Sequence, residues 1–445
     1  MHTGPDRDDG GTARQSPPTP TQQAISAVWR QESGRIVAAI ARRVRDIGVA
    51  EELAQDALVA ALEHWPADGV PDNPGAWLMA TAKNRALDRL RRDQVLAAKL
   101  EQIGHDLDAQ QALVVPDFVD ALDAARADEI GDDLLRLIFT ACHPVLSTEA
   151  RVALTLKLLG GLSTAEIARA FLLGEATIAQ RIVRAKRTLA AAQVAFELPR
   201  GAASGDRLAS VLEVVYLIFN EGYTATAGDD WMRPALCDEA LRLARTLAAL
   251  RPDEAEVLGL MALMELQASR TPARTDEQGR PVLLADQNRL RWDRLLVRRG
   301  LLALERAESA ARHQGRAAGP YALQAAIAAC HAQAGSTEHT DWPRIAALYD
   351  ALLALAPSPV IELNRAVAVG MAFGPAAGLA IVERLAGDAA LQNYHWLPSV
   401  RGDLLARLGR RAEARAEFER AAALARNQRE QAFLLERAQQ MTQAG

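Results

Sequence analysis

Apolar residues recur at spacings of three and four along most of the chain, and strict alternation of apolar and polar positions is scarce. This spacing places apolar side chains on one face of an α-helix. Long runs of Ala, Leu, Arg and Glu, which all favour helices, strengthen the pattern. The sequence therefore predicts a soluble, all-α protein.

Interruptions in the helical pattern divide the chain into segments. Gly, Pro, Asp and Thr dominate the beginning and leave almost nothing to bury, so we expect a disordered leader there. Two polar or Pro- and Gly-containing stretches read as linkers. The predicted segments are a leader (1–23), a helical domain (24–95), a linker (96–129), a second helical domain (130–196), a linker (197–206) and a helical extension (207–445).

An amphipathic helix is predicted over residues 51–65. Its apolar residues, which we expect to be buried, are Leu58, Leu62 and Trp65. Its outer face is acidic and carries Glu52, Gln55, Asp56 and Glu63. Taken alone, this pattern also fits an ordinary surface helix.

A second, basic helix follows the turn Asn73-Pro74-Gly75, with Pro74 as an early helical residue. The apolar face is predicted to carry Met79, Ala82, Ala86 and Leu90. Five basic residues and one Asp lie between positions 83 and 92. Such a stripe matches the spacing of phosphates, and the nearby Trp77 and Asn84 could stack on or bond to unpaired bases. A solvated helix face is the alternative interpretation.

The order of these two helices is informative. The segment AEELAQDALVAALEHW precedes NPGAWLMATAKNRALDRLRRD, and over residues 29–92 the chain resembles region 2 of extracytoplasmic-function RNA polymerase sigma factors. The resemblance implies that the first helix binds the clamp helices of the polymerase β′ subunit through Glu51, Glu52, Gln55, Asp56, Leu58 and Leu62. It also implies that the second helix recognises and opens the −10 element through Trp77, Lys83, Asn84, Arg85, Asp88, Arg89, Arg91 and Arg92.

A helix-turn-helix is predicted between residues 163 and 189. Ser163 and Glu166 form a capping-box pattern, so a helix should begin at Thr164. The inward-facing residues of this helix are Ile167, Ala168 and Phe171. A turn at 172–174 leads to a basic helix whose buried side is Ile178, Ile182 and Leu189.

The second helix of such a motif enters the major groove. Arg181 suits guanine and Gln180 suits adenine, whereas Arg184, Lys186 and Arg187 suit phosphates. A helical hairpin whose arginines face solvent is the alternative.

The stretch LSTAEIARAFLLGEATIAQRIVRAKRTL resembles region 4 of the same sigma factor family. It departs from the family pattern at Leu173-Gly174-Glu175, where a small or hydroxyl residue is commoner. The resemblance implies contact with the −35 element through Thr177, Gln180, Arg181, Arg184, Lys186 and Arg187. It also implies partners: core RNA polymerase, with its β′ and β subunits, and promoter DNA.

The extension carries signs of a degenerate tetratricopeptide-like array. Gly409, Ala414, Phe418 and Ala421 fit the small and aromatic positions of such a repeat. The pattern Leu-x-x-Leu-x-Pro occurs at residues 247–252 and again at 352–357, a separation close to three repeats of about 34 residues. Repeats of this kind stack into a curved scaffold with a concave binding face.

Polar and aromatic residues crowd the loop predicted near the start of the extension, namely Asp229, Asp230, Trp231 and Arg233. A hydrogen-bonded turn between helices is the simpler interpretation. The whole arrangement resembles the sigma factor subgroup with a tetratricopeptide-like C-terminal extension. In that subgroup the extension governs activity in place of a separate anti-sigma factor, so this loop is a candidate regulatory element. The extension is expected to bind the sigma domains, a protein or a small ligand.

Composition narrows the function classes. The net charge of −5 hides local basic stripes. The sequence has three distant cysteines, no CxxC pair and no metal-ligand or nucleophile–base spacing, so we predict no metal, no cofactor and no enzymatic activity. The absence of a secretory or membrane-spanning apolar run predicts a cytoplasmic protein. A non-enzymatic initiation factor is preferred over a one-component helix-turn-helix regulator with a helical sensor, or a tetratricopeptide scaffold.

Overall fold

The computed structural model describes residues 19–104, 126–199, 203–224 and 232–443. These residues form eighteen α-helices, and their one strand-like pairing is an isolated antiparallel bridge between Thr275 and Pro281. The prediction of an all-α fold is confirmed. The chain divides after Arg126 into two compact units, which are described separately.

The first unit contains three helices: α1 (Pro20–Val44), α2 (Ile47–Asp68) and α3 (Pro74–Gly104). Helix α1 begins inside the predicted leader, because Thr19 and Gln22 form a capping box and Pro20 follows at the first helical position. Residues 1–18 of that leader lie outside the described residues. Helix α3 extends into the predicted linker 96–129 and ends at Gly104.

Small residues let the three helices of the first unit approach closely. Ala54, Ala57 and Ala61 of α2 are fully buried, as are Ala82 and Ala86 of α3. The prediction that Leu58 and Leu62 form the buried side of α2 is wrong, since Leu58 is half-buried and Leu62 is exposed. The alanines occupy the contact face instead, and they turn these two leucines outward.

The second unit contains a first group of four helices, followed by the helices of the extension. Helix α8 starts at Ala203, so the last four residues of the predicted linker 197–206 are helical. The first group is α4 (Arg126–Ala141), α5 (Thr148–Leu158), α6 (Thr164–Ala170) and α7 (Glu175–Ala191). The extension comprises α8 (Ala203–Tyr223), α9 (Pro234–Leu250), α10 (Ala255–Ala268), α11 (Arg294–His313), α12 (Pro320–Gln333), α13 (Trp342–Leu355), α14 (Pro359–Phe373), α15 (Pro375–Leu385), α16 (Trp396–Arg407), α17 (Arg411–Leu424) and α18 (Gln428–Gln443).

Successive helices of the extension pack against one another, as in a tetratricopeptide-like array. Ala414, Phe418 and Ala421 are fully buried, and Gly409 has a φ of 77° in the turn before α17. A Cβ at Gly402 would lie 2.9 Å from Cε1 of Phe418, so the small residue lets α16 meet α17. The predicted tetratricopeptide-like character is confirmed.

The two Leu-x-x-Leu-x-Pro segments end equivalent helices, α9 and α13. In each, the residue after the helix donates its N–H to the first Leu, from Arg251 to Leu247 and from Ala356 to Leu352. Three helices, α10, α11 and α12, lie between them, so the two segments are offset by two helix pairs rather than by the three repeats that the spacing predicts. The additional length lies in the 25-residue segment 269–293, whose only helical elements are short 3₁₀ turns.

The contact between α14 and α15 depends on two glycines. A Cβ at Gly378 would lie 2.6 Å from the carbonyl oxygen of Ala366 and 2.9 Å from Cα of Gly370. Both are backbone atoms of α14, which cannot swing aside as a side chain would.

We expect Gly378→Ala to lower the free energy of unfolding by about 1–3 kcal/mol, because the added methyl group overpacks this contact. Gly387→Ala is the matched control, since no atom of the described residues lies within 4 Å of its Cβ position. Urea unfolding of both variants measures the effect. Equal stability of the two would contradict a close helix contact at Gly378.

His331 is a titratable group inside the extension. It is buried, and its ring contacts Trp342 edge-on with centroids 5.1 Å apart. Burial, together with the nearby charges of Arg270 and Arg289, lowers the pKa of His331 to about 4. The folded chain therefore holds this imidazole neutral where an unfolded chain would protonate it.

As the pH falls from about 6.5 to 4, the unfolded chain binds the additional proton, so His331 should cost stability across that window. Between pH 7 and pH 4 we expect the unfolding free energy of the native protein to fall by roughly 3 kcal/mol more than that of His331→Gln. Urea unfolding at several pH values tests this difference, in which the shared titration of carboxylates cancels. Parallel pH profiles would show that His331 does not titrate in this way.

Candidate polymerase and nucleic-acid interfaces

Helix α2 displays the acidic face that the sequence predicts, but Glu51, which the resemblance adds to the polymerase contacts, is not on it. Glu52 is exposed, and Gln55 and Asp56 are partly exposed. Glu51 is only 5% exposed and its Oε1 accepts a hydrogen bond from Gln55 Nε2 at 2.6 Å. Glu51 is therefore placed to orient Gln55, and not to contact a partner directly.

Exposed apolar groups accompany these acids on α2. Leu62 is 43% exposed and Val59 is 49% exposed. Leu58 is half-buried beside them. An exposed apolar patch edged by acidic groups suits a protein partner. The sequence did not single out Val59, although its position one turn before Leu62 was a usable signal.

Three arginines of helix α3 form ion pairs. The pairs join Arg85 to Asp56 at 3.5 Å, Arg89 to Asp93 at 3.2 Å and Arg91 to Asp88 at 3.7 Å. Arg92 Nε also donates to the carbonyl oxygen of Asp88 at 3.2 Å. Lys83 is half-buried. The members of these pairs are 40% or more exposed, so each pair contributes only about 0–1 kcal/mol and can be exchanged for a phosphate.

An aromatic pair anchors the beginning of α3. Trp77 is half-buried and meets Trp65 edge to face, with ring centroids 5.4 Å apart. Asn73 caps the helix, because its Oδ1 accepts from the N–H of Ala76 at 3.1 Å. Asn84 is exposed two turns further along. The structure thus leaves Asn84 accessible, while Trp77 is partly committed to packing.

The helix-turn-helix forms as predicted. Ser163 N–H donates to Glu166 Oε2 at 2.8 Å, and Glu166 N–H donates to Ser163 Oγ at 3.2 Å, which completes the capping box. Leu172 adopts a left-handed conformation with a φ of 51° in the turn. Ile178, Ile182 and Leu189 are buried, as the sequence predicts.

Helix α7 presents its polar residues away from this core. Thr177, Gln180, Arg184 and Arg187 are exposed, whereas Arg181 and Lys186 are half-buried. Within the described residues neither Arg184 nor Arg187 has an ion-pair partner, in contrast to the arginines of α3. Two uncompensated cations on one exposed face of a second helix suit the phosphates that flank a major groove.

Most of the candidate regulatory loop, including Asp229, Asp230 and Trp231, lies outside the described residues. Arg233 lies within them. Its guanidinium bonds to Glu221 of α8, and Nη1 donates to the carbonyl oxygen of Ala170, the last residue of α6, at 2.5 Å. The described part of this loop therefore touches the helix-turn-helix.

The cysteines of the described residues lie in the packed interior. Cys142, Cys237 and Cys330 are buried, and burial raises the pKa of each thiol. No group of three His, Cys, Asp or Glu residues among the described positions could hold a metal ion. Across the same positions, no helix has both the length and the apolar character needed to cross a membrane.

Three family models match the chain. Sigma-70 region 2 matches residues 29–95, and Sigma-70, region 4 matches residues 136–189. A family of unknown function, DUF6596, matches residues 207–308. The two sigma matches contain α2, α3 as far as residue 95 and the helix-turn-helix, and the third match begins in α8.

Relatives of known sequence agree with these matches. The "Uncharacterized protein R00370" of Rhizobium meliloti (strain 1021) is 45% identical over 397 residues, covering 89% of this chain and 90% of that protein. The ECF RNA polymerase sigma factor SigK of Mycobacterium ulcerans (strain Agy99) is 29% identical over 38% of this chain and 84% of its own length. The crystal structure of yeast Tom70 aligns with 92% of this chain and 82% of its own at 11% identity, with a TM-score of 0.35, which is too low to bear on the fold.

The sigma matches occur in the order region 2, then region 4, and the full-length relative shares the extension as well. The chain belongs to the extracytoplasmic-function RNA polymerase sigma factors, in the form that carries a tetratricopeptide-like helical extension.

Proposed function

We propose that this protein binds core RNA polymerase through α2, opens the −10 element with α3 and reads the −35 element with α7, acting in the cytoplasm without catalysing a reaction. The observation that supports the proposal most strongly is the exposed, uncompensated basic face of α7 in a chain that also carries sigma region 2. A duplex-binding helix alone would fit a one-component regulator. The region 2 helices, with their acidic and apolar outer face, favour a polymerase partner.

The contacts with polymerase are assigned to α2. Leu62 and Val59 would enter an apolar site on the β′ clamp helices, while Glu52, Gln55 and Asp56 pair with polar or basic groups around it. The contacts with DNA are assigned to two places. Asn84 and the arginines of α3 face the unpaired −10 strand, and Gln180 and Arg181 face −35 base edges.

We further propose that the extension governs the activity of the sigma domains. Support comes from the contact that Arg233 makes between the extension and α6. The segment from Asp229 to Arg233 stays the proposed regulatory element.

Substitution of an exposed apolar residue on α2 tests the polymerase assignment. We expect Leu62→Asp to abolish co-purification with core RNA polymerase and start-site-specific transcription from a promoter upstream of its own gene. The physical reason is that a buried, unpaired carboxylate is costly at an interface core. Leu435→Asp on α18 is the matched control, because both leucines are 43% exposed on helices.

Retention of core binding by Leu62→Asp would exclude α2 as the docking helix. Failure of the native protein to bind core, with duplex binding intact, would favour the one-component regulator instead.

Substitution of the two unpaired arginines tests the role of α7. We expect Arg184→Ala with Arg187→Ala to weaken duplex promoter binding at every sequence and to lower the slope of log K against log salt by about 2, since about 0.9 is lost per phosphate contact. Fluorescence anisotropy of the holoenzyme across a salt series measures both quantities. Arg415→Ala, which removes an exposed cation paired with Glu419 at 2.8 Å in α17, is the control. An unchanged salt slope in the double variant would remove α7 from the DNA interface.

A further inference from the structure

Arginines of the extension bond to the ends of three successive helices of region 4. Each guanidinium comes from α8, from α9 or from the residue before α9, and each donates to a backbone carbonyl. The three contacts are Arg207 Nη2 to Phe139 O at 2.7 Å, Arg242 Nη2 to Leu159 O at 2.5 Å and Arg233 Nη1 to Ala170 O at 2.5 Å.

Each of these three carbonyls lies at the C-terminal end of a helix. Phe139 lies in the last turn of α4, Leu159 directly follows α5, and Ala170 ends α6. The last four carbonyls of a helix lack intrahelical partners, and a cation near them also interacts favourably with the helix dipole. The extension thus supplies the C-terminal caps that α4, α5 and α6 need.

Acidic groups of the extension hold two of the arginines in place. Glu239 accepts from Arg242 Nε at 3.0 Å and from Nη2 at 2.6 Å, and Glu221 pairs with Arg233. The chain just after α5 comes close to α9 beside Arg242, since a Cβ at Gly160 would lie 3.1 Å from Glu239 Oε1. Pre-oriented guanidinium groups lose less conformational entropy when they bond to a carbonyl.

A fourth contact across the same boundary comes from an arginine of region 4. Arg151 of α5 bonds to Ser210 and donates to Glu213 Oε2 at 3.0 Å, both on α8. Ser210 Oγ in turn donates to the carbonyl oxygen of Cys142, just after α4, at 2.6 Å. The boundary between region 4 and the extension is therefore a bonded interface over α4 to α6.

The DNA-facing side of α7 takes no part in this interface. Thr177, Gln180, Arg184 and Arg187 are exposed with the extension in place. The described part of the extension therefore holds the helices behind α7 and leaves the outer face of α7 uncovered. An element that masked DNA binding sterically would instead cover these residues.

We infer that Arg207, Arg233 and Arg242 are positioning residues for −35 recognition, and that the −35-binding module of this protein runs from α4 through α9. Of these three arginines, Arg233 lies nearest the turn between α6 and α7, since it caps α6. The inference rests on the proposed role of α7 in binding the −35 element. It assigns the start of the extension a supporting role that a separate inhibitory domain would not have.

The test uses the full-length chain in holoenzyme with core RNA polymerase. We expect Arg233→Ala to weaken binding of a duplex promoter fragment from upstream of its own gene by roughly tenfold, the loss typical of one charge-assisted hydrogen bond. The slope of log K against log salt should stay unchanged, because no phosphate contact is removed. Hydrogen exchange should speed up at the α6–α7 turn, and Arg233→Lys, which keeps a donor nitrogen and the positive charge, should restore part of the affinity.

Glu221→Gln provides a milder change should Arg233→Ala unfold the chain; it should give a smaller loss of the same kind. Arg415→Ala, at an exposed intrahelical pair in α17, controls for the removal of an arginine from the extension. Affinity and exchange equal to Arg415→Ala in both variants would overturn the inference, and so would a lowered salt slope, which would make Arg233 a direct DNA contact.

Failure of the native holoenzyme to bind the duplex would count against the proposed function. The exchange measurement at the α6–α7 turn would then test by itself whether Arg233 positions α6, since it needs no DNA. Accelerated exchange would support it, and unchanged exchange would overturn it.

Discussion

Every short helix of this chain ends in backbone groups that have lost their intrahelical partners, and the second unit is organised around satisfying them. Many N-termini use their own residues, as Ser163 and Asp293 do. Other ends need a side chain from a distant helix. Glu256 of α10 accepts from the N–H groups of Tyr321 and Ala322 at the start of α12, and the extension's arginines serve the C-termini of α4, α5 and α6. These distant caps tie α4, α5, α6 and α12 to other elements of the unit, so polar bonds as well as the apolar core hold it together.

Whether a helix end is capped by a nearby or a distant residue decides whether the cap could be predicted from the sequence. A capping box lies within four consecutive residues, so Ser163 and Glu166 identify the start of α6 directly. The small and aromatic positions around Phe418 are likewise local, and they are buried as expected. Arg207 and Arg242 carry no such signal, because their acceptors lie 68 and 83 residues away. The predicted burial of Leu62 is wrong because small residues, including Ala54, Ala57 and Ala61, occupy much of the contact face of α2.

The two candidate DNA-binding helices differ in how their arginines are paired, in a chain whose net charge is −5. Helix α3 balances its arginines with Asp56, Asp88 and Asp93, whereas Arg184 and Arg187 of α7 have no ion-pair partner within the described residues. Exposed pairs contribute only about 0–1 kcal/mol each, so the arginines of α3 stay available to a strand that approaches them. The balanced pairs reduce long-range attraction to duplex DNA. An arrangement of this kind is suited to a helix that meets DNA only after polymerase has brought the two together.

The caps that the extension provides also bear on how its effect can be studied. Removal of all residues after α7 would leave the carbonyl oxygens of Phe139, Leu159 and Ala170 without their arginine donors. Each loss of a charge-assisted bond costs about 1.5–3 kcal/mol, and a small helical domain has only about 5–15 kcal/mol of stability in total. A shortened chain would therefore lose activity through instability even if the intact extension were inhibitory. The sign of regulation must come from substitutions that leave α8 and α9 in place, because only those separate a signal carried by the extension from the support it gives to region 4.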